Sequence, residues 1–330
     1  MLASSKYSLL LLLTFWVAGR AEAQSTTLTA KQIRTAMQSE RNKITDGILT
    51  AVGSYSQAEG RGPVRKTDIR WSYEFDFPNG KFLFDRSETC FATSDTRSGE
   101  RDELRIFFCE DPVTRYTYHD FIIPTAALFI HPRIAPEKEL SSHFKRFDIR
   151  GVGFCNSSNI YSRSHDGDEF FFEPLGVNVM DDIRVDEESG DILKLSYKRD
   201  VPQRANLPKI PMDMKLWVDK SRGFTPIRVT SVRGGEIELD CRTDWKQIGG
   251  VWVPSKLSGT FRSRFLPEGK EPKEENIEYR TEDFQLEIKW VLLNGPSELI
   301  MYDFKEFDLP NGTAVYKDGK SIYFYLNQPK

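Results

Sequence analysis

The residues best suited to metal binding or nucleophilic chemistry are four histidines, His119, His131, His143 and His165, and four cysteines, Cys90, Cys109, Cys155 and Cys241. Their spacing supports neither chemistry. No His-x-x-x-His pair and no Cys-x-x-Cys pair exists, so a zinc site has no basis in the sequence. His165 opens the run HDGDE, where Asp166, Asp168 and Glu169 offer oxygen ligands to calcium. The twelve-residue EF-hand pattern is absent, however, and the run reads as a solvated turn. A G-x-S-x-G nucleophile elbow does not occur. GVGF at 151–154 lacks the third glycine and the strand–helix setting of a dinucleotide loop, and reads as a bend. Neither an enzyme nor a resident metal or cofactor is expected.

The N-terminus MLASSKYSLLLLLTFWVAGRAEA combines Lys6, an apolar run from Leu9 to Ala18, and a small-x-small site at Ala21 and Ala23. That is the layout of a secretory signal peptide cleaved after Ala23. The apolar run is too short for a spanning helix, which needs roughly 20 residues. An exported protein, periplasmic or extracellular and not membrane-spanning, is expected. Removing residues 1–23 takes away Lys6, Arg20 and Glu22, which moves the net charge from -3 to -4. A nucleic-acid partner therefore has no electrostatic support. The 39% apolar content excludes wholesale disorder and suits one large domain over residues 24–330.

Export makes disulfides among Cys90, Cys109, Cys155 and Cys241 chemically reasonable, and four cysteines allow three pairings. Cys90 and Cys109 flank a polar stretch and are candidates to pin a hairpin-like excursion. The alternative is a set of buried thiols acting as small hydrophobes.

The elements follow from hydrophobic period. Thr29 and Gln32 have capping-box spacing, and Ile33, Ala36, Met37 and Ile44 form one stripe, which predicts an amphipathic helix over about residues 30–43. From Ile48 the period becomes two. WSYEFDF places Trp71, Tyr73, Phe75 and Phe77 on one face, and a Pro-Asn-Gly turn returns the chain through KFLFDRSE as a hairpin. LRIFFCE and TRYTYHDF predict further strands. Residues 120–150 contain three prolines and no clean period, and read as a short helix and loop covering one side of the sheet. In the C-terminal half MDMKLWVD, FTPIRVTSV, EIELDCRTDWKQI and VWVPSKLSGTF predict an antiparallel meander, and AVYKDGKSIYFYL a closing hairpin. The fold class is α+β, mostly antiparallel β.

Strand parity separates the tryptophans from the aliphatic side chains. Met212, Met214, Leu216 and Val218 share one face and leave Trp217 on the other, while Val251, Val253 and Leu257 leave Trp252 opposite. A sheet with large aromatics on its second face can curl around a helix, a covering segment or a ligand.

The order KLWVDKSRGFTPIRV, TDWKQIGGVWVPSKL and YDFKEFDLPNGTAVY resembles the sheet of the bacterial periplasmic lipoprotein-carrier (lipoprotein localisation factor) family. DIRGVGFCNSS followed by DEFFFEPLGVNVM is similar to exported planctomycete proteins of unknown function. The first resemblance implies an open half-barrel of meandering strands wrapped around an N-terminal helix, with a concave apolar interior. Two functional readings follow. In the first, an exported, non-enzymatic binding protein of the cell envelope holds a lipid, acyl chain or acylated protein in a groove lined by Trp71, Tyr73, Phe75, Trp217 and Trp252. In the second, an envelope scaffold with a self-filled core works through an outer surface and an envelope protein partner.

Overall fold

A computed structural model describes residues 28–59, 64–91, 101–110, 114–119, 127–132, 149–153, 183–201, 210–265, 278–295, 309, 311–317 and 320–324. The signal-peptide expectation, the HDGDE run, Cys155 and the strand expected at 299–307 lie outside these residues. Helix α1 is Ala30–Arg41. Fifteen strands follow: β1 Asp46–Glu59, β2 Arg65–Asp76, β3 Lys81–Phe91, β4 Arg101–Glu110, β5 Thr114–His119, β6 Ala127–Pro132, β7 Arg184–Ser189, β8 Ile192–Val201, β9 Ile210–Asp219, β10 Thr225–Arg233, β11 Glu236–Ile248, β12 Val251–Phe265, β13 Glu278–Leu293, β14 Ala314–Lys317 and β15 Lys320–Phe324.

All fifteen join one open sheet in the order β15-β14-β6-β5-β4-β3-β2-β1-β13-β12-β11-β10-β9-β8-β7. Every pairing is antiparallel except β14 with β6. The expected fold class, mostly antiparallel β curled as an open half-barrel with one N-terminal helix, is what the chain adopts. Two meanders meet where β1 pairs with β13, so the N-terminal and C-terminal strands form a continuous sheet. One hydrophobic cluster runs from Ile33 on α1 through the concave face to Trp290. A second gathers Phe107, Cys109, Tyr118, Leu128, Ile130, Leu309 and Val315 at the β4–β6 and β14 end.

The helix begins as its sequence requires. The Thr29 hydroxyl oxygen accepts the Gln32 N–H at 3.3 Å, and the Gln32 carboxamide accepts the Thr29 N–H at 2.8 Å. Ile33, Met37 and Ile44 are fully buried. Asn294, held at a positive φ of 49° beyond β13, fastens the helix–β1 junction. Its Oδ1 accepts the Thr45 N–H at 3.0 Å, and its Nδ2 donates to the Lys43 carbonyl at 2.5 Å.

Curvature is built at two glycines on the concave face. A Cβ on Gly53 would stand 2.1 Å from the Gln285 carbonyl oxygen, and one on Gly259 would stand 2.3 Å from that of Asp240. Neighbouring backbone approaches so closely there that only glycine fits, which lets the sheet bend. Across the bend, Leu195, Leu216, Val229, Cys241, Gly259, Phe284 and Tyr55 stand opposite one another in successive strands. They form one row of the concave face.

The structure corrects four expectations. Part of the 120–150 segment is strand β6, because the run Ala127–Pro132 carries its proline only at the last position and pairs with β5. The hairpin β7–β8 was not anticipated, although Leu193, Leu195 and Tyr197 are buried in alternation with Lys194, Ser196 and Lys198. In β11 the expected alternation fails at its start, where a register shift buries Glu238 beside Arg233 at 3.0 Å and exposes Ile237. Finally, Cys90 stands opposite Asp102, seven residues along β4 from Cys109. That is about 24 Å at strand rise, beyond the roughly 7 Å limit for a bridge. Cys109 and Cys241 are buried thiols.

Candidate functional site

The apolar stripe of α1 runs Ile33, Met37 and then, four residues on, Arg41. Arg41 is the last helical residue, is wholly buried, and occupies a position where the pattern calls for another aliphatic side chain. Its Cζ lies 4.3 Å from the centroid of the Trp245 ring. Plain alternation in β11 puts that indole on the buried face with Leu239, Cys241 and Thr243. The indole N–H donates to the Pro226 carbonyl at 2.7 Å, which fixes the ring plane beneath the guanidinium.

Nε, Nη1 and Nη2 of Arg41 are all buried, and among the described residues none has a hydrogen-bond acceptor. Burial draws the Arg41 pKa well below the ordinary arginine value, to about 10, against the raising effect of the neighbouring Glu40 carboxylate. The side chain is therefore charged at neutral pH. Desolvation is the larger cause, and the cation–π contact with Trp245 offsets part of it.

The neighbouring Glu40 carboxylate is shared. Glu40 Oε2 accepts from Lys43 Nζ at 2.5 Å, while the buried Oε1 has no hydrogen-bond partner among the described residues and the charge acts on Arg41. Its carboxyl packs against Gly223, where a Cβ would stand 2.6 Å from Cδ, and Gly223 itself has a positive φ of 67°. Asp219 ends β9 and caps the single 3-10 turn Lys220–Arg222. It accepts the Ser221 N–H at 3.0 Å and the Arg222 Nε at 3.0 Å. Lys43 and Arg222 thus each reach a carboxylate oxygen, whereas Arg41 makes no such contact among the described residues.

From Trp245 an aromatic floor crosses four more strands. Trp245 faces Pro254 of β12, whose carbonyl accepts the Trp290 indole N–H at 2.9 Å. Trp290 meets Phe75 edge-on at 6.2 Å, Phe75 stacks with Tyr73 at 5.0 Å, and Phe84 links Tyr73 to Trp71 at 6.1 and 5.7 Å. Such pairs add about 0.5–1.5 kcal/mol each beyond area burial. The concave face therefore presents a run of rings that ends on a buried cation.

Of the expected lining residues, Trp71, Tyr73 and Phe75 stand on this floor and are buried. Trp217 and Trp252 do not join them. Trp217 lies on the convex face between Lys194 and Arg228, whose charged groups sit 5.8 and 4.8 Å from its ring, and Trp252 lies 5.4 Å from Arg222. The five residues cannot line one groove. Parity placed both tryptophans opposite the aliphatic side chains, and the aliphatic side proved to be the concave one. Sequence reading passed over Trp245, Trp290 and Arg41. The first two alternate with apolar residues in β11 and β13, and Arg41 betrays itself as a charge inside an apolar stripe.

Among the described residues, no helix is long and apolar enough to cross a membrane, and no group of three or more His, Cys, Asp or Glu could hold a metal ion. No protein-family model matches the chain, and no curated protein sequence matches it. Solved structures that resemble it include a DUF1329 family protein from Desulfovibrio piger, with a TM-score of 0.37 and 11% identity over 82% of this chain and 95% of that one. Another is a LolA superfamily protein from Nitrosomonas europaea, with a TM-score of 0.35 and 13% identity over 84% of this chain and all of that one.

Proposed function

We propose that this is an exported, non-enzymatic binding protein of the cell envelope that holds a lipid, an acyl chain or an acylated protein against its concave face. The observation that carries the reading is the aromatic floor of Trp290, Phe75, Tyr73 and Trp71, a run of buried rings in the cluster that packs against α1. Burying an acyl chain there gains about 25 cal/mol per Å2 of apolar surface, less the ordering of the chain. The convex face is laced with charge and suits water. A cavity of about 340 Å3 at the β7–β10 edge has a mixed wall, with Arg184, Asp186, Lys198 and Asp213 beside Tyr197, Met214 and Val232, and it lies apart from the aromatic floor.

A second reading, an envelope scaffold with a self-filled core, is favoured by the burial of the floor itself, since Tyr73 and Phe75 are at 0% exposure. On the binding reading the cover over these rings must move when ligand enters. Native mass spectrometry of the mature protein from its own host, followed by organic extraction, separates the two. A stoichiometric lipid supports binding. A clean apo mass, with no uptake of added fatty acid or phospholipid, supports the scaffold and retires the binding reading.

A further inference from the structure

The floor ends on a charge, and that arrangement narrows the ligand class. A protein meant to hold plain hydrocarbon gains nothing from a guanidinium at the end of its apolar surface. Replacing Arg41 by a residue of the stripe's own kind would remove a desolvation cost. The cation is kept where water does not reach it, with three nitrogens that find no acceptor among the described residues. The neighbouring carboxylates make no hydrogen bond to it: Glu40 gives Oε2 to Lys43 and acts on Arg41 through charge alone, and Asp219 pairs with Arg222. Trp245 packs against the guanidinium at 4.3 Å and, as a ring, supplies no hydrogen-bond acceptor to its three nitrogens. Arginine presents a fork that matches a carboxylate or phosphate with two parallel hydrogen bonds.

Resting on the binding reading above, we infer that the ligand is an anionic amphiphile whose carboxylate or phosphate head pairs with Arg41 while its acyl chain lies along Trp245, Trp290, Phe75 and Tyr73. The head supplies the acceptors that Arg41 lacks, and the chain covers rings that lead directly away from it. A head paired in a dry setting is worth more than a surface ion pair, because little water competes for either partner. A neutral lipid of the same chain length forgoes that pairing and leaves the guanidinium unmet, so selectivity for the charged head is the expected signature.

The test is competition against the neutral fluorescent probe N-phenyl-1-naphthylamine at pH 8, with laurate, methyl laurate and inorganic phosphate as competitors. Wild-type protein and the variants Arg41→Met and Arg41→Lys are compared. In the wild type, laurate should displace the probe at a concentration at least about tenfold below methyl laurate, and phosphate alone should not compete. In Arg41→Met the two laurate species should fall within about twofold of each other, and Arg41→Lys should retain part of the preference. Equal displacement by both laurate species in the wild type overturns the headgroup assignment and leaves the apolar floor standing. Displacement by phosphate at laurate concentrations also overturns it, since the site would then read a free anion. Failure of the probe and of both laurate species to bind at all removes the binding reading, and the inference with it.

Discussion

Two arginine–tryptophan contacts sit on opposite faces of one sheet, and they differ in nearly everything but their residue types. On the convex face Arg228 stands 4.8 Å from the Trp217 ring and is held by Asp240 through Nε at 2.8 Å and Nη2 at 2.7 Å. Those hydrogen bonds raise its pKa above the ordinary arginine value. On the concave face Arg41 stands 4.3 Å from Trp245 with no acceptor among the described residues, and burial lowers its pKa to about 10. The outer pair is a finished structural feature: water, a carboxylate and a ring share the charge. The inner pair is unfinished, and the missing partner is what makes it a candidate site. Geometry alike in the two places thus carries opposite meaning once burial is counted.

The comparison breaks first if the helix is not what buries the inner pair. A chain lacking residues 24–47 loses Ile33, Met37 and Ile44, each worth about 2–4 kcal/mol when buried. It should show no cooperative urea transition by circular dichroism. A transition as sharp as that of the full chain would place the cover elsewhere. Next in size, Trp245→Leu should destabilise by about 3 kcal/mol, because it removes a buried ring and leaves the Pro226 carbonyl without its donor. Trp217→Leu, half-exposed among charges, should cost under about 1 kcal/mol. If the two variants melt alike in denaturant titrations, the inner and outer tryptophans are not distinguished by burial.

Most of the scaffold was legible in the sequence because its strands alternate and its turns are marked. The capping box, the WSYEFDF hairpin and the meander from MDMKLWVD onward are local patterns, and local patterns survive folding. Which face of a strand becomes concave is not local. The sequence put Trp217 opposite Leu216 correctly, but only the bend at Gly53 and Gly259 decides that the Leu216 side is the inside. A bulge is equally silent: the burial of Glu238 follows from one extra residue in the β10–β11 ladder. β6 was hidden by prolines at the segment's margins, and the seven-residue offset between Cys90 and Cys109 needed the β3–β4 register. Arg41 was visible as a charge in the stripe, but its lack of a partner required the whole concave face.

Removing the two arginines should move stability in opposite directions. Arg41→Met deletes an uncompensated buried charge and should raise stability by about 1 kcal/mol. Arg228→Met breaks a partly exposed bidentate pair and should lower it by about 0.5 kcal/mol. The pH dependence follows from the sign of the inner shift. With a folded pKa lowered to about 10, below the unfolded value, Arg41 is protonated in both states throughout pH 5–9. Its penalty is then constant, and it is relieved only as pH rises through about 10, where the folded state begins to give up the proton first. The gain from Arg41→Met should accordingly be equal at pH 5 and pH 9 in urea titrations. A gain that changed between those two values would mean that a carboxylate or histidine titrates against Arg41, in which case the guanidinium already has a partner and the two faces differ less than their burial implies.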